Sequence, residues 1–174
     1  MPWPRAVNLI TQALDAMSAL HAHGGFICGV NPDMIRLRAF GASPEMPAER
    51  IVISSAGIKS VQDVLATMRE QELRGQEANE NELPYVAPEV LMGGPPNVRA
   101  DVFTIGALAY QMVTTAVPFK APSLLELLGQ MLQTKPAPPG GDMPDSARIA
   151  IMTALEAAPA NRFESAAAFA RALA

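Results

Sequence analysis

The side chains that could do chemistry are few, and their spacing argues for structure before catalysis. His21 and His23 could suggest a metal pair. Two residues apart, they fall on different faces of a helix, and no further Cys or His cluster joins them. Packing or capping is the expected role, with no metal ligand and no cofactor. Asp33 could act as a base, but it follows Pro32 in an Asn-Pro-Asp turn, where an acidic side chain stabilises the turn. Cys28 is the single cysteine, so no intramolecular disulfide forms. It has no cationic neighbours in sequence and reads as a buried, inert thiol. Glu45, Glu49, Glu70 and Glu72 read as solvated charges.

Composition narrows the functions further. Hydrophobic residues make up 49% of the 174 residues and charged ones 17%, enough for one domain with a real core. With 13 basic and 17 acidic residues the net charge is -4, which gives no electrostatic footprint for nucleic acid or an anionic membrane. Aromatics are too sparse for base-stacking platforms. No charged-then-apolar leader and no apolar run long enough to span a bilayer is present, so the chain is expected in the cytoplasm.

The elements that must position these residues are mostly helical. Asp101 to Val113 is apolar on nearly every face, through Val102, Phe103, Ile105, Leu108, Ala109, Met112 and Val113. A helix apolar all round is buried all round, so this is the expected central post, with Gly106 letting a neighbour approach closely. An amphipathic helix over Arg5 to Ala22 carries Val7, Ile10, Leu14 and Met17 at spacings of three and four and ends at His23-Gly24-Gly25. Met34 to Phe40 alternates Ile35, Leu37 and Ala39 with Arg36 and Arg38, a half-buried strand, and Ile51 to Ile53 is its hairpin partner. Ser60 to Arg74 reads as a helix with Val61, Leu65 and Met68 on one face, and the polar Gln76 to Glu82 follows. Ser123 caps a helix over Leu124 to Gln133, with Glu126 completing a capping box. Asp145 caps Ser146 to Ala157 with Ile149, Met152 and Leu155 inward. Glu164 to Leu173 is the last helix, with Phe169 and Leu173 inward. The expected fold is mainly α, about six helices around a buried central helix with a small β-hairpin, in a single domain over 1–174.

Four ordered segments carry a resemblance. They are Tyr85-Val86-Ala87-Pro88-Glu89, then Arg99-Ala100-Asp101-Val102-Phe103-Thr104-Ile105-Gly106, then Tyr110 to Phe119, and last Pro159-Ala160-Asn161-Arg162-Phe163-Glu164-Ser165-Ala166. Together they resemble the C-terminal, mostly helical lobe of bacterial serine/threonine protein kinases of the eukaryotic-like type. The first is similar to the Y-x-A-P-E signature of that family. The resemblance implies that Glu89 and Arg162 form a buried ion pair. It also implies that Asp101, at a helix N-terminus where an anion sits well, accepts hydrogen bonds from the catalytic-loop backbone. His21 matches the L-H that ends this helix in kinases. Region 55–89 corresponds to the activation segment.

Against the same pattern, chemistry-bearing positions differ. The catalytic loop H-R-D-x-x-x-x-N corresponds to Ile27 to Met34, and the base position is Gly29 or Val30, neither of which accepts a proton. Met34 stands where a magnesium-binding Asn is expected, and a thioether is a poor ligand for a hard cation. Ser55, Ala56 and Gly57 stand in place of D-F-G. No Gly-rich loop or V-A-I-K lysine is found, and the strand-rich N-terminal lobe is absent from the sequence. The resemblance thus implies no kinase activity: a half-pseudokinase serving as a protein-interaction scaffold or adaptor. The alternatives are a nucleotide-binding sensor and a lobe completed by another polypeptide. The face that an N-lobe covers in kinases is expected to bind a protein partner or a second copy through Phe26, Ile27, Met34, Ile35, Val61, Leu65 and Met68.

Overall fold

A computed structural model describes residues 1–40, 48–54 and 83–174. The expected helix over 60–74, the 76–82 segment and residues Glu45, Glu70 and Glu72 lie outside the described residues.

The described chain is mainly helical. Helix α1 spans Trp3–Ala22, and a 3-10 turn at Pro32–Met34 leads into strand β1, Ile35–Phe40, which pairs with β2, Ala48–Ile53. After a second 3-10 turn, Leu83–Tyr85, come α2 (Pro88–Leu91), α3 (Val98–Thr114), α4 (Leu124–Gln133), α5 (Asp145–Ala154) and α6 (Ala166–Leu173), with a 3-10 turn at Pro159–Asn161 before α6. This is the architecture of a kinase-like C-lobe: helices packed round one post, plus a two-stranded antiparallel sheet.

The post is α3. Every residue from Ala100 to Tyr110 is buried, as the apolar pattern requires. Asn97 starts it by accepting from the backbone N–H groups of Arg99 (2.9 Å) and Ala100 (3.0 Å). Thr115 ends it in the left-handed conformation, φ 66°. Helix α1 packs against α3 and α6, α5 packs against α3 and α6, and α2 leans on α4. Gly106 is where α3 meets α5: a Cβ there would lie 2.8 Å from Ala154 Cβ.

Several boundaries and faces differ from expectation. Helix α1 begins at Trp3, two residues early, because Pro4 is tolerated in a first turn whose N–H groups have no helical acceptor. Its buried stripe takes in Ala6, Leu9 and Ala13 beside Ile10, Leu14 and Met17, while Val7 is half-buried. In α5 the inward face is Ala147, Ala150, Ile151 and Ala154, and Ile149 is 64% exposed. Of the expected trio, Leu155 is buried and Met152 packs partly on the core, but Ile149 faces outward, because small alanines allow α5 to close on Gly106. Asp145 is the first helical residue of α5, paired with Arg148, and Pro144 takes the N-cap position. Helix α5 stops at Ala154, before Pro159. Helix α6 starts after Ser165, whose hydroxyl accepts from Ala168 N–H at 3.1 Å. Helix α4 has the expected limits, with Ser123 accepting from Glu126 N–H at 3.2 Å.

The hairpin forms in the register Ile35↔Ile53, Leu37↔Ile51 and Arg38↔Arg50. Of the expected inward residues of β1, Ile35 packs on the core, whereas Leu37 is 48% exposed and Ala39 is exposed. Strand β2 is tied to α1 instead. Gln12 donates to Glu49 O at 2.9 Å and accepts from Ile51 N–H at 3.1 Å, standing in for a neighbouring strand. Glu49, expected to be solvated, accepts two hydrogen bonds at 2.7 Å from Arg5, which hold its carboxyl below the usual range.

Gly106→Val tests the contact of α3 with α5. Overpacking should lower stability by about 1–3 kcal/mol, read as a lower denaturation midpoint at unchanged m-value.

Candidate functional site

The site grows from the first turns of α3. Asp101 sits there with a side chain that has no exposed surface. A carboxylate that leaves water must be met by donors. The donors come from the turn after α1. Gly24, at φ 74°, ends α1, and the chain doubles back through Phe26, whose ring lies beside His21 with centroids 5.6 Å apart. Cys28 (φ 42°) and Gly29 (φ 112°) follow in the left-handed half of conformational space. This bend aims successive N–H groups at Asp101: Cys28 N–H donates at 2.6 Å and Ile27 N–H at 3.3 Å to each oxygen. Such a concave pair of amides is an anion nest, and here the anion is the chain's own carboxylate. His21 Nε2 lies 2.8 Å from the other side of Asp101. His23 turns away and its Nδ1 meets Ala19 O at 2.8 Å, so the two histidines serve separate partners. Among the described residues no group of three or more His, Cys, Asp or Glu is arranged to hold a metal.

One helical turn on, Thr104 joins this loop to another. Its hydroxyl accepts from Gly29 N–H at 3.1 Å and donates to Tyr85 O at 2.7 Å. Tyr85 OH donates to Gln111 Oε1 at 2.6 Å, and burial pushes its phenol up. The segment Leu83–Glu89 is thereby laid along α3, buried from Leu83 to Pro88.

Its far end is fixed by Arg162. That guanidinium has no exposed side-chain surface and meets Glu89 through two bonds, 2.7 and 2.9 Å. Its remaining donors reach Glu156 O, Ala157 O and Arg99 O at 2.7 to 3.1 Å. The ring of Phe103 lies beneath it, 4.8 Å from Cζ to centroid. Arg99 returns the contact, donating to Arg162 O at 2.6 Å and Pro159 O at 3.0 Å. Glu89, Arg99 and Arg162 thus form one satisfied cluster, and no buried side-chain N or O among the described residues lacks a partner.

The positions singled out for chemistry fall in this frame as follows. Gly29 has a backbone angle that favours glycine, and a Cβ there would lie 2.9 Å from Val86 Cγ2. Val30 is fully buried, and Met34 is half-buried against the core. Ser55, Ala56 and Gly57 lie outside the described residues. Burial, with Asp101 adding to it, pushes the Cys28 thiol up, which leaves it protonated and unreactive. The turn-stabilising role expected of Asp33 belongs to Asn31, whose side chain accepts from Asp33 N–H at 2.9 Å. The Asp33 carboxylate is left exposed. Of the proposed interaction residues, Phe26 is 41% exposed, Ile27, Met34 and Ile35 pack partly on the core, and Val61, Leu65 and Met68 are outside the described residues.

Beside the frame runs an open groove of about 660 Å³. Asp33, Tyr85, Gln111 and Lys120 line it together with Leu83 and Pro84. Its walls are partly apolar, with the Asp33 carboxylate and the Lys120 ammonium group among them. Sequence reasoning missed Arg99, Thr104 and Gln111. Arg99 and Thr104 act on backbone atoms distant in sequence, which no local pattern announces. Asn31 was legible in principle, since Asn-Pro-Asp is an Asx-turn signature.

Replacing Glu89 with Ala strands the Arg162 charge. Loss of one partner from a buried pair costs roughly 3–5 kcal/mol, and the partial exposure of Glu89 puts the expected value at the lower end. Chemical denaturation reads it directly.

The chain matches bacterial protein kinases over nearly its whole length. It is 27% identical over 175 residues to the serine/threonine-protein kinase PknF of Mycobacterium tuberculosis, covering 99% of this chain and 35% of that protein. It is 34% identical over 160 residues to the serine/threonine-protein kinase PkaA of Streptomyces coelicolor, covering 91% of this chain and 27% of that protein. The chain therefore spans about a third of the length of these relatives or less. No protein-family model matches it. The relatives correct the expectation that the chain is not an enzyme, because they are named as kinases and point to an enzyme lineage. That expectation weighed single positions, Gly29, Val30 and Met34 above all, more heavily than similarity spread along the whole framework. No described helix is long and apolar enough to cross a membrane. By fold and by sequence similarity together, the chain is a kinase-like domain resembling bacterial serine/threonine protein kinases.

Proposed function

We propose that this chain is the helical lobe of a serine/threonine-kinase-type enzyme, and that its own contribution is protein binding. In that role it is a scaffold: it holds a polypeptide in the groove beside Tyr85 and offers the Phe26 face to a strand-rich lobe supplied elsewhere in the assembly. Phosphoryl transfer is then a property of the whole protein.

The observation that carries the reading is the pinning of segment 83–89. Thr104 fixes its start and the Glu89–Arg162 pair its end, so the groove wall is preformed and a ligand need not order it. Asp33 and Lys120 add one charge of each sign to the lining, and Leu83 and Pro84 add apolar contact.

A displayed library of extended peptides tests this. Selected peptides should slow amide exchange at Leu83, Tyr85, Val86 and Asp33. Asp33→Ala should weaken them about tenfold, equivalent to roughly 1.4 kcal/mol. Protection that maps elsewhere, or affinity indifferent to Asp33 and to Lys120→Ala, would contradict the reading.

A further inference from the structure

The two edges of the hairpin are treated differently. Ser54 N–H donates to Met34 O at 2.8 Å, which fixes one bonded pair of the antiparallel ladder. Alternation along the ladder then turns the N–H and C=O groups of Leu37 and Ala39 to the outer side of β1, and those of Glu49 and Ile51 to the outer side of β2. The β2 edge is closed: Gln12 bonds both Glu49 O and Ile51 N–H, and Arg5 clamps Glu49. On the β1 edge, no hydrogen-bond partner for the outward groups of Leu37 or Ala39 lies among the described residues, and both residues are exposed.

The two faces flanking that open edge have opposite character. Leu37 borders an apolar groove of about 430 Å³, whose walls include Ile35, Ile51, Leu108 and Met112. The other face carries Arg36 and Arg38. Like charges opposed across strands repel one another. A second copy pairing antiparallel through the same edge would bring more arginines against these, so self-pairing is disfavoured. Carboxylates there would be attracted.

We propose that the outer edge of β1 is a docking site for an extended segment of another protein that alternates acidic and apolar side chains. The segment adds a third strand by bonding the free backbone groups of Leu37 and Ala39. Its acidic residues lie opposite Arg36 and Arg38, and its apolar residues lie over the groove beside Leu37. The inference uses edge geometry and charge alone and does not rest on the kinase-type reading.

The test uses the full chain and two labelled peptides, acetyl-Glu-Val-Glu-Val-Glu-Val-amide and its Lys-for-Glu counterpart, read by fluorescence anisotropy. The acidic peptide should bind at least about tenfold more tightly at low salt, with the gap narrowing as salt rises. Arg38→Glu should reverse the preference. N-methylation of the acidic peptide at alternate amides should abolish binding in one phase and spare it in the other, a readout that leaves the protein untouched. Leu37→Pro should also abolish binding while the thermal melt stays close to wild type, since the lost N–H faces outward. Failure of the acidic peptide to bind, equal binding of the two peptides, or binding that survives N-methylation in both phases would overturn the proposal.

Discussion

The structure depends on a carboxylate that has left water. Asp101 has no exposed side-chain surface, yet it sits at the start of the most buried of the described helices. It is tolerable there only because Ile27, Cys28 and His21 all turn to it. The cost of that arrangement is visible in the loop. Cys28, a residue with a side chain, is held at φ 42°, a conformation that sterics disfavour. The loop shape is thus a consequence of satisfying Asp101, and everything attached to the loop inherits it. Gly29 reaches Thr104, Thr104 reaches Tyr85, and Tyr85 begins the wall of the larger groove.

Arg162 solves the complementary problem at the other end of that wall. A fully buried guanidinium has five N–H donors to place. Glu89 takes two bonds, and the carbonyls of Arg99, Glu156 and Ala157 take the rest. Both buried charges therefore converge on the first turns of α3, where Arg99, Asp101, Phe103 and Thr104 lie within six residues of one another. A helix N-terminus that fixes two loops holds the groove wall in shape.

Much of the fold was legible because burial was written in periodicity. The all-apolar run of α3, the stripe of α1 and the cap at Ser123 each rest on local pattern, and local pattern survived folding. The failures share a cause. Ile149 looked like a core residue and lies in solvent, because the tight approach of α5 to α3 at Gly106 selects alanine over isoleucine. Leu37 looked inward; it shares the face of Ile35, but that face opens there onto a groove and leaves it 48% exposed. Glu49 looked solvated and is clamped by a residue 44 positions away. In the candidate site, Glu89, Asp101 and Arg162 could be named only through resemblance to a family. Thr104, Arg99 and Gln12 act on backbone atoms far off in sequence, and no one-dimensional signal marks them.

The central claim is that Asp101 shapes the loop and is not merely buried beside it. Amide hydrogen exchange in wild type and Asp101→Asn, resolved by residue, tests this most directly. The substitution keeps the volume and removes the charge that the nest of amides holds. Exchange at Ile27 and Cys28 should rise at least about tenfold, roughly 1.4 kcal/mol of lost protection, while amides of α6 change little. Unchanged protection at Ile27 and Cys28, or an equal rise at every amide of the core, would contradict the account.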